Sequence, residues 1–213
     1  MIIALDGPAG SGKSTIAKLV AEELKIDYLD TGAMYRMVTY YCLSNNIDVN
    51  NEKNINENLN NINIAIRNNS FYLNEIKVDE DIRSVEITKN VSKIASYKKV
   101  REFLVEQQRL IAKSNSCILD GRDIGSVVFP NADYKFFMTA TPETRARRRF
   151  LQGQDTNVKQ TEEEILKDII ERDLLDTTRK ESPLIQTSDA IVIDSSYLSI
   201  EDTIKEITKK IKR

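Results

Sequence analysis

Residues 7–14 read Gly7-Pro8-Ala9-Gly10-Ser11-Gly12-Lys13-Ser14, a full G-x-x-x-x-G-K-[ST] match. The apolar run Ile2–Asp6 in front of it suits a buried strand, and Ile16, Leu19, Val20 and Leu24 behind it recur at helical spacing. Strand, glycine-rich turn and helix together make a loop that cradles phosphate. The glycines let the backbone curl so that successive N–H groups converge on phosphate oxygens. The helix aims its positive end at the same place. Candidate triphosphate-binding residues are therefore Gly7, Pro8, Ala9, Gly10, Ser11, Gly12, Lys13, Ser14 and Thr15. Lys13 can reach the β- and γ-phosphates, and the Ser14 hydroxyl can ligate Mg2+.

Working outward, further short apolar runs read as strands at Ile26–Asp30, Cys117–Asp120, Tyr134–Thr139 and Ala190–Asp194. Segments of helical period separate them, so the pattern is βαβ and the sheet is expected to be parallel. Thr141 before Pro142 marks a helix start. Thr161 with Glu164, and Ser199 with Asp202, have capping-box spacing, aspartate standing in for the longer glutamate. Between the second and third core strands, Ile62, Ile64 and Ile66 alternate, Asn68-Asn69-Ser70 supplies turn chemistry, and Phe71–Val78 resumes a strand pattern. Residues 60–78 are read as a small inserted antiparallel sheet. The many asparagines from Asn45 to Asn69 are read as compositional drift on solvated faces.

The chain has 213 residues, enough for one large α/β domain with a small insertion. Its net charge of −2 gives no reason to expect a nucleic-acid partner. Two cysteines, Cys42 and Cys117, make neither a disulfide framework nor a metal site. The absence of histidine excludes any mechanism that needs an imidazole. Met1 leads directly into the first strand with no basic leader or long apolar run, which predicts a cytoplasmic protein without a membrane partner. No apolar stripe is evident, which predicts a monomer.

Guanine-reading Asn-Lys-x-Asp and switch Asp-x-x-Gly motifs are missing, which argues against a GTPase switch. Arginines and aspartates instead gather near strand ends, where doubly wound sheets bind ligands. Asp30-Thr31-Gly32-Ala33-Met34-Tyr35-Arg36 ends the second strand, and Asp120-Gly121-Arg122-Asp123 ends the third. Arg145, Arg147, Arg148 and Arg149 follow the fourth; Arg172, Asp176 and Arg179 share one helical face. A donor triphosphate and an acceptor phosphate need many fixed cations, and guanidinium forks match phosphate oxygens. Asp120 could hold a Mg2+-bound water or cap a turn; both readings stand at this stage.

GPAGSGKST (7–15), LDTGAMYR (29–36), NVSKIAS-YKKVR (90–101), LDGRDIGSVVFP (119–130) and ERDLLDTTR (171–179) resemble the bacterial cytidylate kinases, members of the nucleoside monophosphate kinases. The resemblance covers essentially the whole chain. It departs at Thr31, where the family has serine, and at Ser14, where some members place glycine before threonine; Ser14 or Thr15 is then the closer Mg2+ ligand. The resemblance implies an α/β, three-layer P-loop fold with a five-stranded parallel sheet, an inserted antiparallel NMP-binding subdomain and a helical lid. Its expected bounds are a core of 1–44 and 97–213, an insertion of about 45–96 and a lid of about 143–162. It implies phosphoryl transfer from ATP to CMP or dCMP with Mg2+. Arg36, Arg122 and Arg179 would hold the acceptor phosphate; Ser92, Arg101 and Asp123 would read the cytosine edge; Arg172 and Asp176 would meet the ribose; Thr31 would be a further substrate-binding residue. Lys13, Arg122 and Arg148 would be catalytic, Arg148 within a lid formed by arginines 145–149. A kinase of the same fold acting on UMP, shikimate or dephospho-coenzyme A would lack the 119–130 and 171–179 stretches.

Overall fold

A computed structural model describes residues 1–67, 70–113, 115–153 and 160–211. The chain runs β1 (Ile2–Asp6), α1 (Lys13–Leu24), β2 (Asp27–Asp30), α2 (Thr31–Ser44), α3 (Glu52–Asn58), β3 (Ile64–Arg67), β4 (Ser70–Leu73) and β5 (Ile76–Lys77). It continues through α4 (Val85–Ile94), α5 (Lys98–Ala112), β6 (Cys117–Gly121), β7 (Tyr134–Thr139), α6 (Pro142–Gly153), α7 (Glu162–Thr178), β8 (Ile191–Asp194) and α8 (Ile200–Ile211). The contacts divide it into two units, Met1–Leu29 with Asn115–Arg213, and Asp30–Ser114.

The first unit is built on a five-stranded sheet of order β2-β6-β1-β7-β8. The central strand β1 pairs in parallel with β6 on one side and β7 on the other, and β7 with β8. Side chains alternate between faces along a strand. Ile3 and Leu5, Ile118, Phe136 and Met138, and Ile193 form one cluster with Ile16, Ala17 and Val20 of α1 and Ile207 and Ile211 of α8. Ala4 and Leu119, of opposite parity, are equally buried. Each such aliphatic or aromatic side chain contributes roughly 1.5–3 kcal/mol through burial.

Two strand starts fall one residue later than the sequence suggests, for a local reason. The Ile26 N–H closes the end of α1 on the Ala21 carbonyl at 3.0 Å, and the Ala190 N–H closes a turn on Thr187 at 3.1 Å. Both amides are therefore engaged in turns. All three helix starts are capped as expected. Thr161 and Glu164 form the full reciprocal box on α7. At α8 the Asp202 N–H donates to Ser199 Oγ at 3.0 Å, while the Asp202 carboxylate takes the Ser199 hydroxyl at 2.7 Å. Aspartate, one methylene shorter than glutamate, here pairs with the hydroxyl.

In the second unit β3, β4 and β5 form the expected antiparallel sheet. Leu73 and Ile76 pair across a two-residue turn whose residues, Asn74 and Glu75, both have positive φ (48° and 67°), the backbone a tight hairpin requires. The Asn74 side chain also accepts from the Asn63 N–H at 2.7 Å and donates to the Asn61 carbonyl at 3.0 Å. Asn51 caps α3. Asn51, within the asparagine-rich stretch, and Asn74, beyond it, thus hold local backbone. The Asn68-Asn69 turn lies outside the described residues. The unit is wider than the expected 45–96 because α2 packs on α4, α5, β4 and the helical turn Asp81–Arg83. Met34, Met37, Ile82, Ile94 and Leu104 are fully buried there.

On α7, Ile170 and Leu174, one turn apart, are 51% and 61% exposed. Of the expected lid, residues 154–159 lie outside the described residues. No helix among the described residues is long and apolar enough to cross a membrane.

Candidate functional site

β1 delivers the chain into the loop at Gly7, where no other residue fits: a Cβ would lie 2.0 Å from the Met138 carbonyl oxygen. At the far end Gly12 has φ 90° and immediately precedes α1, a conformation that glycine adopts without penalty. Lys13 arches back over the loop. Its ammonium donates to the Pro8 carbonyl at 2.6 Å and to Ser11 Oγ at 3.2 Å. Burial holds its pKa well below the ordinary lysine value, helped by the charge of Arg122 and opposed by Asp120, Asp6 and Asp176.

Ser14 donates to Asp120 Oδ2 at 2.7 Å, and the Tyr28 hydroxyl donates to Asp120 Oδ1 at 3.0 Å. Asp120 is thus an oxygen partner of the loop, and the contact favours Ser14 over Thr15 as the hydroxyl beside it. Among the described residues no group of three or more His, Cys, Asp or Glu is placed to enclose a metal. A hydroxyl and a carboxylate fit Mg2+, which keeps several waters and takes few protein ligands.

Behind the loop, Asp6 accepts from the Ile124 and Gly125 N–H groups at 2.8 and 2.7 Å. Burial raises its pKa to about 6, against the lowering effect of those two bonds, with Asp123 adding to the rise. Asp6 thereby anchors the segment that follows Arg122 and Asp123. The Arg122 Nε donates to Asp176 Oδ2 at 2.8 Å, and Arg179 Nη1 lies 3.6 Å from Asp176 Oδ1. Burial alone would raise the Asp176 pKa; the charges of Arg122, Arg172 and Arg179 outweigh it and hold the carboxyl below its usual range. Lys13, Ser14, Arg122, Arg172, Asp176 and Arg179 are therefore brought into one charged neighbourhood.

The arginines of α6 have different surroundings. Arg145 is buried, donating to the Ala140 and Ala9 carbonyls at 2.9 Å each and pairing with Asp173 at 2.6 Å. Arg148 donates to the Ser195 carbonyl at 2.5 Å and to its hydroxyl at 3.2 Å; that hydroxyl reaches the Ser11 carbonyl at 3.4 Å. Arg147 is exposed, 3.5 Å from Glu162.

In the second unit Asp30 caps α2 through the Ala33 N–H and pairs with Arg36, both at 2.8 Å. Thr31 is buried at the start of α2 and Ser92 is half-buried on α4. Arg101 is buried, donating to the Ala95 carbonyl at 2.9 Å with its guanidinium 5.2 Å from the Tyr35 ring centre. Sequence reasoning missed Asp6, Tyr28, Asp173 and Ser195. Asp6 and Ser195 stand at or just past the carboxyl ends of strands, a signal that could have found them.

The sequence model of the family described as cytidylate kinase matches residues 3–213. A cytidylate kinase from Clostridioides difficile is 51% identical over 211 residues, covering 99% of this chain and 98% of its own. One from Fusobacterium nucleatum is 52% identical over 213 residues, covering 100% and 98%. Among solved structures, an uncharacterized protein from Eubacterium ventriosum aligns with a TM-score of 0.56 at 14% identity, covering 100% of this chain and 98% of its own. A shikimate kinase from Bacteroides thetaiotaomicron aligns with a TM-score of 0.51, also at 14%, covering 100% and 99%. These structural likenesses concern the fold alone.

Proposed function

The chain belongs to the cytidylate kinase family, and from that premise we propose that it transfers the γ-phosphoryl group of ATP to CMP or dCMP, giving ADP and CDP or dCDP. The observation that carries this reading is the common neighbourhood of Lys13 with Arg122, Arg172 and Arg179 around Asp176. A donor triphosphate and an acceptor phosphate aligned for transfer concentrate negative charge, and fixed cations stabilise it.

An acceptor phosphate is largely dianionic near neutral pH, so no protein base has to create the nucleophile. The lack of histidine is compatible with that chemistry. Lys13 stabilises charge on the transferring group, and Arg148 serves the donor phosphates beside it. Arg122 and Arg179, with Arg36 and Thr31, take the acceptor phosphate; Arg172 and Asp176 take the ribose hydroxyls. Arg101, Asp123 and Ser92 read cytosine, and the Tyr35 ring and Ala95 carbonyl that orient Arg101 support its part in this. Mg2+, when bound, neutralises phosphate charge, and Ser14 and Asp120 are the residues that would hold it. We place the reaction in the cytoplasm, with nucleotides and not nucleic acid as partners.

A coupled assay with ATP and a panel of acceptors tests the reading. Cytosine offers an amino donor at position 4 and an acceptor at N3, whereas uracil reverses both. We expect kcat/KM for CMP to exceed that for UMP by at least about 10². Equal use of the two would overturn the cytosine-reading role, and preference for a non-nucleotide acceptor would overturn the function.

A further inference from the structure

We propose that Arg145 is a positioning residue of the phosphate-binding loop: it turns the Ala9–Gly10 peptide so that the Gly10 N–H faces a bound donor phosphate. The proposal rests on the reading of that loop as the donor site.

Arg145 is 3% exposed, and its planar fork is fixed at three points. Nε donates to the Ala140 carbonyl at the end of β7, Nη2 meets Asp173 of α7, and Nη1 donates to the Ala9 carbonyl. Because the guanidinium is rigid, the first two contacts set the direction of the third. Asp173 neutralises the charge, so Arg145 is placed to orient backbone and not to serve as a phosphate cation.

In a planar trans peptide the C=O and the next N–H point in opposite directions. Drawing the Ala9 carbonyl toward Arg145 therefore turns the Gly10 N–H away from it. Other carbonyls of the loop are engaged in the same manner: Pro8 accepts from Lys13 and Ser11, Ser11 from Ser195, and Gly12 from the Ile16 N–H. With its carbonyls held by protein donors, the loop keeps its N–H groups for an anion. Ala9–Gly10 is a peptide that gains from such a hold. Gly10 sits at φ 74°, and a glycine leaves the adjoining peptide free to rotate.

Arg145→Met alone would strand a buried carboxylate, so the test pairs it with Asp173→Leu in the full chain. ATP, inorganic tripolyphosphate (which lacks base and ribose) and CMP are each titrated by calorimetry, with thermal unfolding to verify the fold. The folded double variant is expected to bind ATP and tripolyphosphate about 10–100-fold more weakly, the loss of one charge-assisted hydrogen bond. In Arg145→Lys, which leaves Asp173 in place beside Arg122, CMP affinity should stay within about twofold, a split that a general loosening would not produce. Arg145→Lys, which cannot span all three acceptors, should fall between wild type and the double variant, and it decides the matter on the same titrations if the double variant does not fold. Wild-type affinity for both polyphosphates in a folded variant, or an equal loss for ATP and CMP in Arg145→Lys, would overturn the proposal. Wild-type protein that binds neither polyphosphate would instead overturn the donor-site reading.

Discussion

Arg145 of α6 and the arginines gathered around Asp176 use the same side chain for opposite purposes. On α6, Arg145 places its donors on two carbonyls and one carboxylate, Arg148 on Ser195, and Arg147 lies exposed near Glu162. Around Asp176, three guanidiniums act on a single buried carboxylate. Asp120 and Asp173 also act on Arg122. The difference lies in whether the guanidinium is held on backbone carbonyls, as Arg145 is, or gathered with others on one carboxylate. Arg145, held on two carbonyls and a carboxylate, is structural, whereas Arg148 meets the neutral Ser195 and keeps its charge for the donor phosphates. Where guanidiniums gather on one buried carboxylate, as Arg122 and Arg179 do on Asp176, they form a fixed array that a phosphate can join.

The sharpest way to break this comparison is Arg122→Ala. Loss of one such cation is expected to lower kcat/KM for CMP by about 10²–10³, read by steady-state kinetics. A fall of less than tenfold would place Arg122 with the structural arginines.

Asp176→Asn removes the anion that three cations share and should destabilise the fold by about 3–5 kcal/mol at neutral pH. Its folded pKa is lowered, so its contribution is present above the unfolded value of about 3.8 and lost as pH falls. The gap in unfolding free energy between wild type and variant should therefore close below about pH 4; a gap constant with pH would contradict the ion-pair account.

Asp6 supplies the converse carboxylate, buried against two N–H groups with its pKa raised to about 6. Its contribution is full below about 3.8 and is lost as pH rises through about 6. Relative to Asp6→Asn, the wild type should lose roughly 3 kcal/mol of stability between about pH 4 and pH 7. Denaturant unfolding at several pH values measures that slope, and a slope of the opposite sign would show that the two hydrogen bonds outweigh burial.

The smallest effect is expected at Arg147→Ala, whose exposed pair with Glu162 contributes under about 1 kcal/mol. Melting temperature and kcat/KM should both stay close to wild type. A loss approaching that of Arg122→Ala would make Arg147 a working lid residue and dissolve the contrast between the clusters.

Much of this arrangement was legible before any coordinates. Ile2–Asp6 and Tyr134–Thr139 are strands with the expected ends, and Thr161 with Glu164 closes the expected capping box. Other features were legible only in part. The hairpin at Asn74-Glu75 was hidden because glutamate is an uncommon residue at positive φ. The second unit came out wider than the insertion because α2 and α5 bury their apolar faces within it, a choice of partner that periodicity does not record.

Sequence alone determined the loop, the parallel βαβ pattern, the helix starts and the family resemblance, because each depends on residues adjacent or a few positions apart. Tertiary structure decided which arginine is a strut and which is a candidate ligand-binding cation. Arg145 became a strut when folding set Ala9 and Asp173 on either side of it, and Asp6 became an anchor when it met Ile124 and Gly125. A guanidinium or a carboxylate takes its role from the charges and dipoles within a few ångströms, and for these side chains folding draws most of them from distant parts of the chain.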